Sequence, residues 1–294
     1  MKMVSQHAGF IPGPVNVGVI RDGERIVLID TGLDDQSAKR ILKAAEEAGC
    51  EIVGILNTHA HADHYGGNDR IRRSVKKLDF IYAPAIEEAI IRYPITEPVY
   101  LFGANPIAEL KGKFLMGKPS PAEPLPSPSI PFGDLEIKVV SLPGHSINQV
   151  GYICDNVFFC ADTVFPSGII EKYGLLYCFD VKAQLKTLRF LKNTPPYRMI
   201  IPSHARPRQN ISLLIDENLR HMEEISEAVL ALLAVPKSAE ILVAQLGEQK
   251  GIPLKSIWQY HLHLNTIKAY LAALLKDEAV SVFVEKNTLV WVRK

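Results

Sequence analysis

The segment NTHAHADHYGG, residues 57–67, sets three of the chain's nine histidines and one aspartate within six positions, directly after the apolar run EIVGIL. In an extended chain, residues two apart point the same way, so His59 and His61 project to one side and can share an ion. Asp63 and His64 follow after the chain turns and can face a second position close by. Ala60 and Ala62 avoid crowding, and Gly66-Gly67 lets the backbone bend sharply toward the next element. A lone H-x-H-x-D-H arises by chance as a polar loop. A metal site demands that other strand ends deliver matching side chains.

They do. SLPGH ends an apolar run at His145, FFCAD at Asp162 and IIPSH at His204. A buried strand delivers the residue at its C-terminal end to the edge of a sheet. Imidazole and carboxylate suit zinc, iron or manganese. Asp30, which ends RIVLID before Thr31-Gly32, fits the role of orienting a ligand histidine through its second ring nitrogen. Other histidines lack such company. His261 and His263 lie on a predicted helix, where they diverge by about 200° and cannot share an ion. His7 and His221 have no ligand-type neighbours in sequence, although His7 lies in an N-terminal segment that can reach the site.

The rest of the chain sets the frame. Its 294 residues suit one large and one small domain, and 47% apolar residues can fill a sizeable core. A net charge of +1 gives no general attraction to nucleic acid or anionic lipid. Cys50, Cys154, Cys160 and Cys178 form no C-x-x-C pair and read as reduced, mostly buried thiols. The N-terminus lacks the apolar core of a signal peptide, and no run reaches the roughly 18 apolar residues of a membrane span. The expectation is a soluble, cytoplasmic protein without a membrane partner.

Strand and helix patterns alternate up to residue 83. VNVGVI and RIVLID form a hairpin, QSAKRILKAAEEAG a helix, EIVGILNTH a buried strand, DRIRRSVKK a helix and DFIYAP a strand. Residues 84–131 hold ten of the twenty prolines. The stretch 114–133 reads as irregular, and the whole insertion 84–131 as a long surface connection or else a lid or substrate wall with apolar surface from Tyr93, Tyr100, Phe102, Phe114 and Met116. Three strands follow, in LEIKVVSLPGH, QVGYICD and NVFFCADTVF, then a helix in DVKAQLKTLRFLKN and a strand in RMIIPSH. A boundary falls between 210 and 237, giving a catalytic domain over 1–215 and a smaller unit over 216–294. The smaller unit holds a long amphipathic linker helix, a helix in SAEILVAQLGEQKG, a short helix over 253–259, a longer helix, and a hairpin turning at Lys286-Asn287. This is the pattern of a winged helix.

LIDTG, THAHADHYGG, LPGHSINQVGY, CADTVF and IPSH together resemble, in order, the motifs of the metallo-β-lactamase superfamily over about residues 10–215. The resemblance implies an α/β (α+β) chain folded as an αββα sandwich with two divalent metal ions at the sheet edge, zinc first and iron or manganese as alternatives. It implies one ion on His59, His61 and His145 and the other on Asp63, His64 and His204, with Asp162 bridging. The C-terminal pattern resembles hydrolases related to lactamase-like protein 2; PSHARP departs from the glycines common around that histidine and leaves the subfamily open. The implied function is a dinuclear hydrolase that uses a metal-bridging hydroxide, with Asp63 as the catalytic residue, on a small thioester, ester or lactone. The alternative is a phosphodiesterase or endoribonuclease using the same site, and after it an iron-dependent sulfur dioxygenase. A small molecule is the expected partner. Nucleic acid is the second choice, because the longer C-terminal helix carries only Lys268 and Lys276 as cations and the hairpin adds Lys286, Arg293 and Lys294. Packing of the C-terminal unit on the catalytic domain, or a homodimer, is the more conservative expectation.

Overall fold

The computed structural model describes residues 1–252 and 254–294. The first sheet holds seven strands in chain order: β1 (Lys2–Met3), β2 (Ala8–Ile11), β3 (Val17–Asp22), β4 (Arg25–Ile29), β5 (Glu51–Leu56), β6 (Phe80–Ala83) and β7 (Glu123–Pro124). The second holds β8 (Ser129–Phe132), β9 (Leu135–Ser141), β10 (Val150–Cys154), β11 (Val157–Ala161) and β12 (Met199–Pro202), again neighbours in chain order.

Period-two alternation assigns the faces. On β4, Val27 and Ile29 point into a core shared with the second sheet, while Ile26 and Leu28 point outward against α1 (Asp35–Glu47) and its neighbours. On β11, Val157 and Phe159 face the shared core, and Phe158 and Cys160 face the opposite way, toward α7 (Val181–Lys192) and α8 (Ser212–Leu232). Both faces of these central strands are thus buried, which explains their near-continuous apolar runs. The result is four layers, helix–sheet–sheet–helix, as expected. α1 starts where Asp34 accepts from the backbone N–H of Gln36 and Ser37, a side-chain N-cap.

Between these elements lie α2 (Ala62–Tyr65), α3 (Asn68–Ser74), α4 (Glu87–Arg92), α5 (Thr96–Phe102) and α6 (Ser167–Tyr173). The expectation of irregular chain over 114–133 needs correction: β7 and β8 fall within it. Pro131 sits on β8, the edge strand of the second sheet, where a missing N–H breaks no ladder.

Beyond α8 come α9 (Ala239–Gln249), α10 (Ile257–Lys276) and a hairpin of β13 (Val280–Glu285) and β14 (Thr288–Arg293). Lys237 pairs antiparallel with Trp291, so the order is helix, bridge, helix, helix, hairpin. Of the short helix expected over 253–259, residue 253 lies outside the described residues, and Ile257–Gln259 open α10 instead. α10 lies against α5 and α7 as well as α9. The apolar cluster that covers the second sheet runs without a break into Leu242, Ile267 and Leu271 of this region. Among the described residues no helix is long and apolar enough to cross a membrane.

Candidate metal centre

β4 and β5 run parallel, as do β11 and β12, and β9 shares the direction of β11 because each pairs antiparallel with β10. Five strand ends therefore open onto one edge of the sandwich. Asp30 follows β4, His59 follows β5 by three residues, His145 follows β9, Asp162 follows β11 directly and His204 follows β12 by two. Asp30 and Ala161 have positive φ, 63° and 51°, a conformation rare for residues other than glycine and costly to hold. At Ala161 it comes with a register shift between β11 and β12 and turns the chain so that Asp162 enters the site. Gly144, at φ 129°, carries His145; a Cβ there would lie 2.3 Å from the Gln184 backbone nitrogen.

All seven expected side chains meet. His59 Nε2 and His145 Nε2 each lie 3.0 Å from His61 Nδ1. His64 Nε2 lies 3.3 Å from Asp162 Oδ1 and 3.8 Å from Asp63 Oδ1. His204 Nε2 lies 3.2 Å from Asp162 Oδ2 and 3.4 Å from Asp63 Oδ2. His145 Nε2 is 3.5 Å from Asp162 Oδ2. Ligand-type atoms converge in three overlapping groups, His59–His61–His145, His59–His64–Asp162 and Asp63–His64–His204. Asp30 stands behind them: its Oδ2 lies 2.7 Å from His64 Nδ1, and its carboxylate accepts the Thr58 N–H and hydroxyl, both at 2.8 Å.

Burial dominates the electrostatics of the first group, pushing His59 well below the ordinary imidazole range, His61 to about 3 and His145 down as well, so these rings are neutral. In the second group burial also opposes charge, but the carboxylates outweigh it. Asp162, Asp30 and Asp63 lift His64 well above its usual range, and Asp162 and Asp63 lift His204 to about 10. His204 and His64 in turn hold Asp162 well below the carboxylate range. Two buried atoms, His64 Nε2 and Asp162 Oδ1, face each other across the centre at 3.3 Å and have no hydrogen-bond partner outside the cluster. Neutral imidazoles on one side, carboxylates shared by histidines on the other, and buried polar atoms left to one another are what divalent cations require.

Sequence reasoning missed Glu87 at the start of α4. It is buried and accepts the Ala60 N–H at 2.9 Å, the Ser146 hydroxyl at 2.6 Å and the Asn148 N–H at 2.9 Å. It thereby ties the His59–His61 turn to the loop that carries His145. A glutamate in a proline-rich stretch carries no motif, and only its three partners reveal it. Tyr177, whose ring centroid lies 5.1 Å from His61 and 5.8 Å from His145, was equally invisible. The histidines set aside stay apart: His7 contacts Arg21 and Asp155, and His261 packs on Phe102.

Comparison with known proteins agrees with this geometry. A sequence profile of the metallo-β-lactamase superfamily matches residues 10–204. Hydroxyacylglutathione hydrolases from Shewanella pealeana and Rhodospirillum rubrum are each 24% identical, over 70% and 62% of this chain and 67% and 60% of their own lengths. The match thus spans about two thirds or less of these relatives. A metallo-β-lactamase family protein from Thermus thermophilus superposes with a TM-score of 0.73 at 19% identity, covering 98% of this chain and 97% of that one. A β-lactamase domain protein from Burkholderia ambifaria gives 0.74 at 17% identity, covering 98% and 91%. The shared fold therefore extends through the C-terminal helices and hairpin. With a matched profile over two thirds of its residues and every strand-end motif gathered at one sheet edge, the chain belongs to the metallo-β-lactamase superfamily.

Proposed function

We propose that the protein is a metal-dependent hydrolase that cleaves a small thioester, holding two divalent ions, zinc first. The observation that carries this reading is the convergence of His59, His61, Asp63, His64, His145, Asp162 and His204 within the distances above. The hydroxyacylglutathione hydrolase relatives favour a thioester over an ester or lactone. In this reading His59, His61 and His145 hold one ion, Asp63, His64 and His204 hold the other, and Asp162 contributes to both. Such ions supply a water that ionises near neutral pH and positive charge for the oxyanion of acyl transfer.

The chain's own residues do the positioning. Asp30 fixes the His64 ring through Nδ1 and leaves Nε2 facing the centre. Asp63 keeps 37% of its side chain exposed, so its carboxylate faces the opening and can accept a hydrogen from the attacking water. None of the three buried thiols competes as nucleophile: burial pushes Cys154 up to about 11 and raises Cys160 and Cys178 further, so all three stay protonated.

The test is a hydrolysis screen on protein purified without added metal and then loaded with zinc, manganese or iron. Thioesters, lactones, bis-p-nitrophenyl phosphate and short RNA are the substrates, with Asp63→Ala as control. Thioester cleavage that falls at least about 100-fold in Asp63→Ala supports the reading. Cleavage of RNA or the phosphodiester alone overturns it.

A further inference from the structure

The hairpin of β13 and β14 turns at Lys286-Asn287, where both residues take positive φ, 48° and 62°. A two-residue turn of this kind makes Glu285 and Thr288 a hydrogen-bonded pair, and such pairs recur at every second residue. Ser281, Phe283 and Glu285 therefore direct their backbone groups to β14, while Val280, Val282 and Val284 turn theirs outward. The same alternation turns Trp291 and Arg293 of β14 away from β13. There the Trp291 N–H donates to the Lys237 carbonyl at 2.8 Å and the Arg293 N–H to the Leu233 carbonyl at 2.9 Å, so that edge is closed. On the opposite edge, among the described residues, no backbone group pairs with the outward groups of Val282 and Val284.

Sheets guard a bare edge with lysine, proline or a bulge, because its unpaired backbone accepts any other strand. VSVFVE has none of these: its register with β14 runs unbroken, and its one charge is its last residue. Beside the edge, Phe283, Val284 and Leu289 are 42%, 69% and 54% exposed. The strand that fits is β13 itself. Run antiparallel about a two-fold axis at Phe283, two copies pair Val282 with Val284 and Val284 with Val282, each pair exchanging both N–H to carbonyl bonds. Phe283 then faces Phe283 of the second copy, an aromatic cross-strand pair, and Ser281 faces Glu285. Lys286 of each copy comes diagonally beside Glu278 of the other, an opposite-charge match at both ends between exposed side chains. A slip of two residues breaks this. In one direction it sets Val284 on Val280, which is wholly buried; in the other it sets Phe283 against Glu285. A net charge of +1 puts little repulsion between copies.

We propose that β13 is a docking edge for a second copy of this chain, in a two-fold dimer whose two hairpins form one four-stranded sheet with the β13 strands at its centre. Such a contact is closed and self-complementary, and it removes the bare edge from both copies. It does not depend on the hydrolase reading, because the seven converging residues lie at other strand ends. Two hydrogen-bonded pairs and a few apolar side chains make a small contact, so the dimer dissociates on dilution.

Sedimentation equilibrium on the full chain, from about 1 to 300 µM, measures the association. Wild type is expected to reach twice the chain mass, with half-dissociation on the order of 10 µM. Val282→Pro removes an outward N–H that β14 does not use, and Phe283→Lys sets two cations against each other on the axis. Each should weaken the dimer at least about tenfold with the melting temperature kept. Phe283→Lys changes an exposed side chain, so it keeps the test decisive even if Val282→Pro fails to fold. The register is read by oxidation in a Cys50→Ser background, which removes the one thiol that is not buried. Phe283→Cys faces its own copy in a pair that is not hydrogen-bonded, at a Cα separation of about 4.5 Å, within disulfide reach, and should give a covalent dimer. Val284→Cys faces Val282 and should not. A wild type that stays monomeric over the whole range overturns the proposal. So does a dimer that survives Phe283→Lys, which uses another surface, and so does linkage through Val284→Cys but not Phe283→Cys. A monomer that binds short RNA, and loses it in Phe283→Lys, gives the edge to nucleic acid and overturns the proposal as well.

Discussion

Asp30 shows how much a single residue organises. Its backbone sits at φ 63°, and its two oxygens are shared among the Thr58 N–H, the Thr58 hydroxyl and His64 Nδ1. Asparagine tolerates this backbone nearly as well as aspartate does, so Asp30→Asn removes the charge without forcing a new conformation. Metal affinity, measured by competition with a chromogenic chelator, is expected to fall about 10- to 100-fold, because His64 loses the partner that sets its tautomer and basicity. An unchanged affinity would mean that His64 is oriented by packing alone. Glu87→Ala acts differently. It strands the Ala60 and Asn148 N–H groups and the Ser146 hydroxyl, at about 1–3 kcal/mol for each group left buried and unpaired, so a drop of that order in urea unfolding is expected. The contrast explains what the sequence showed. Asp30, His59, His145, Asp162 and His204 announce themselves because each closes an apolar run, and His61, Asp63 and His64 because they follow His59 in one short motif; the strand ends meet at one edge. Glu87 and Tyr177 reach the same place from a proline-rich segment and an irregular loop, whose paths no periodicity encodes.

At the scale of elements, the C-terminal helix α10 reaches the His61 side of the metal centre through its contacts. Trp258 stacks on Phe114 at 5.4 Å, His261 packs on Phe102 at 5.5 Å, and the Thr266 hydroxyl accepts the Cys178 N–H at 3.4 Å, one residue from Tyr177. Tyr100, Trp258 and Leu262 all border the small apolar cluster of Leu101, Leu110 and Leu115. α10 thus braces both α5, which bears Glu97 and Tyr100, and the loop that bears Tyr177. Trp258→Ala is expected to raise KM severalfold with little change in kcat and to lower stability by about 1–3 kcal/mol, since the metal cluster hangs on other strand ends. A matching loss in kcat with KM unchanged would place α10 nearer the chemistry than these contacts do. The helical period of α10 was readable in advance. Its start was not, because PLKSIWQ reads as a separate short helix until Ser256 is seen accepting the Gln259 N–H as an N-cap. The edge strand β8 was hidden for a similar reason: its proline, Pro131, argues against a strand everywhere except at an edge.

Across the whole molecule, the site couples folding to pH and metal. Without metal, His204 has a pKa near 10 in the fold against 6.5 unfolded. Below 6.5 both states carry the proton and the stabilisation is complete. Above it the unfolded chain gives up its proton while the fold retains it, so stability declines with rising pH and this contribution is gone beyond about 10. His64 acts in the same sense. On the other side of 6.5 the signs reverse. Burial holds His61 to about 3 and lowers His59 and His145, so the unfolded chain takes up protons that the fold refuses, and stability falls as pH drops. The histidine contribution to metal-free stability should therefore peak near pH 6.5 and weaken in both directions. Metal changes the alkaline limb. Ligation requires neutral imidazoles, so uptake at pH 7.5 should release protons from His64 and His204, countable by titration in weak buffer, and affinity should rise with pH. The loaded protein then has no stabilising imidazolium left to lose. Its melting temperature should hold between pH 7 and 9 while that of the chelator-treated protein declines, and the gap between them should widen with free zinc, by about 2.7 kcal/mol at a hundred times the dissociation constant. Parallel pH profiles for the two forms would show that the cation does not bind through these histidines.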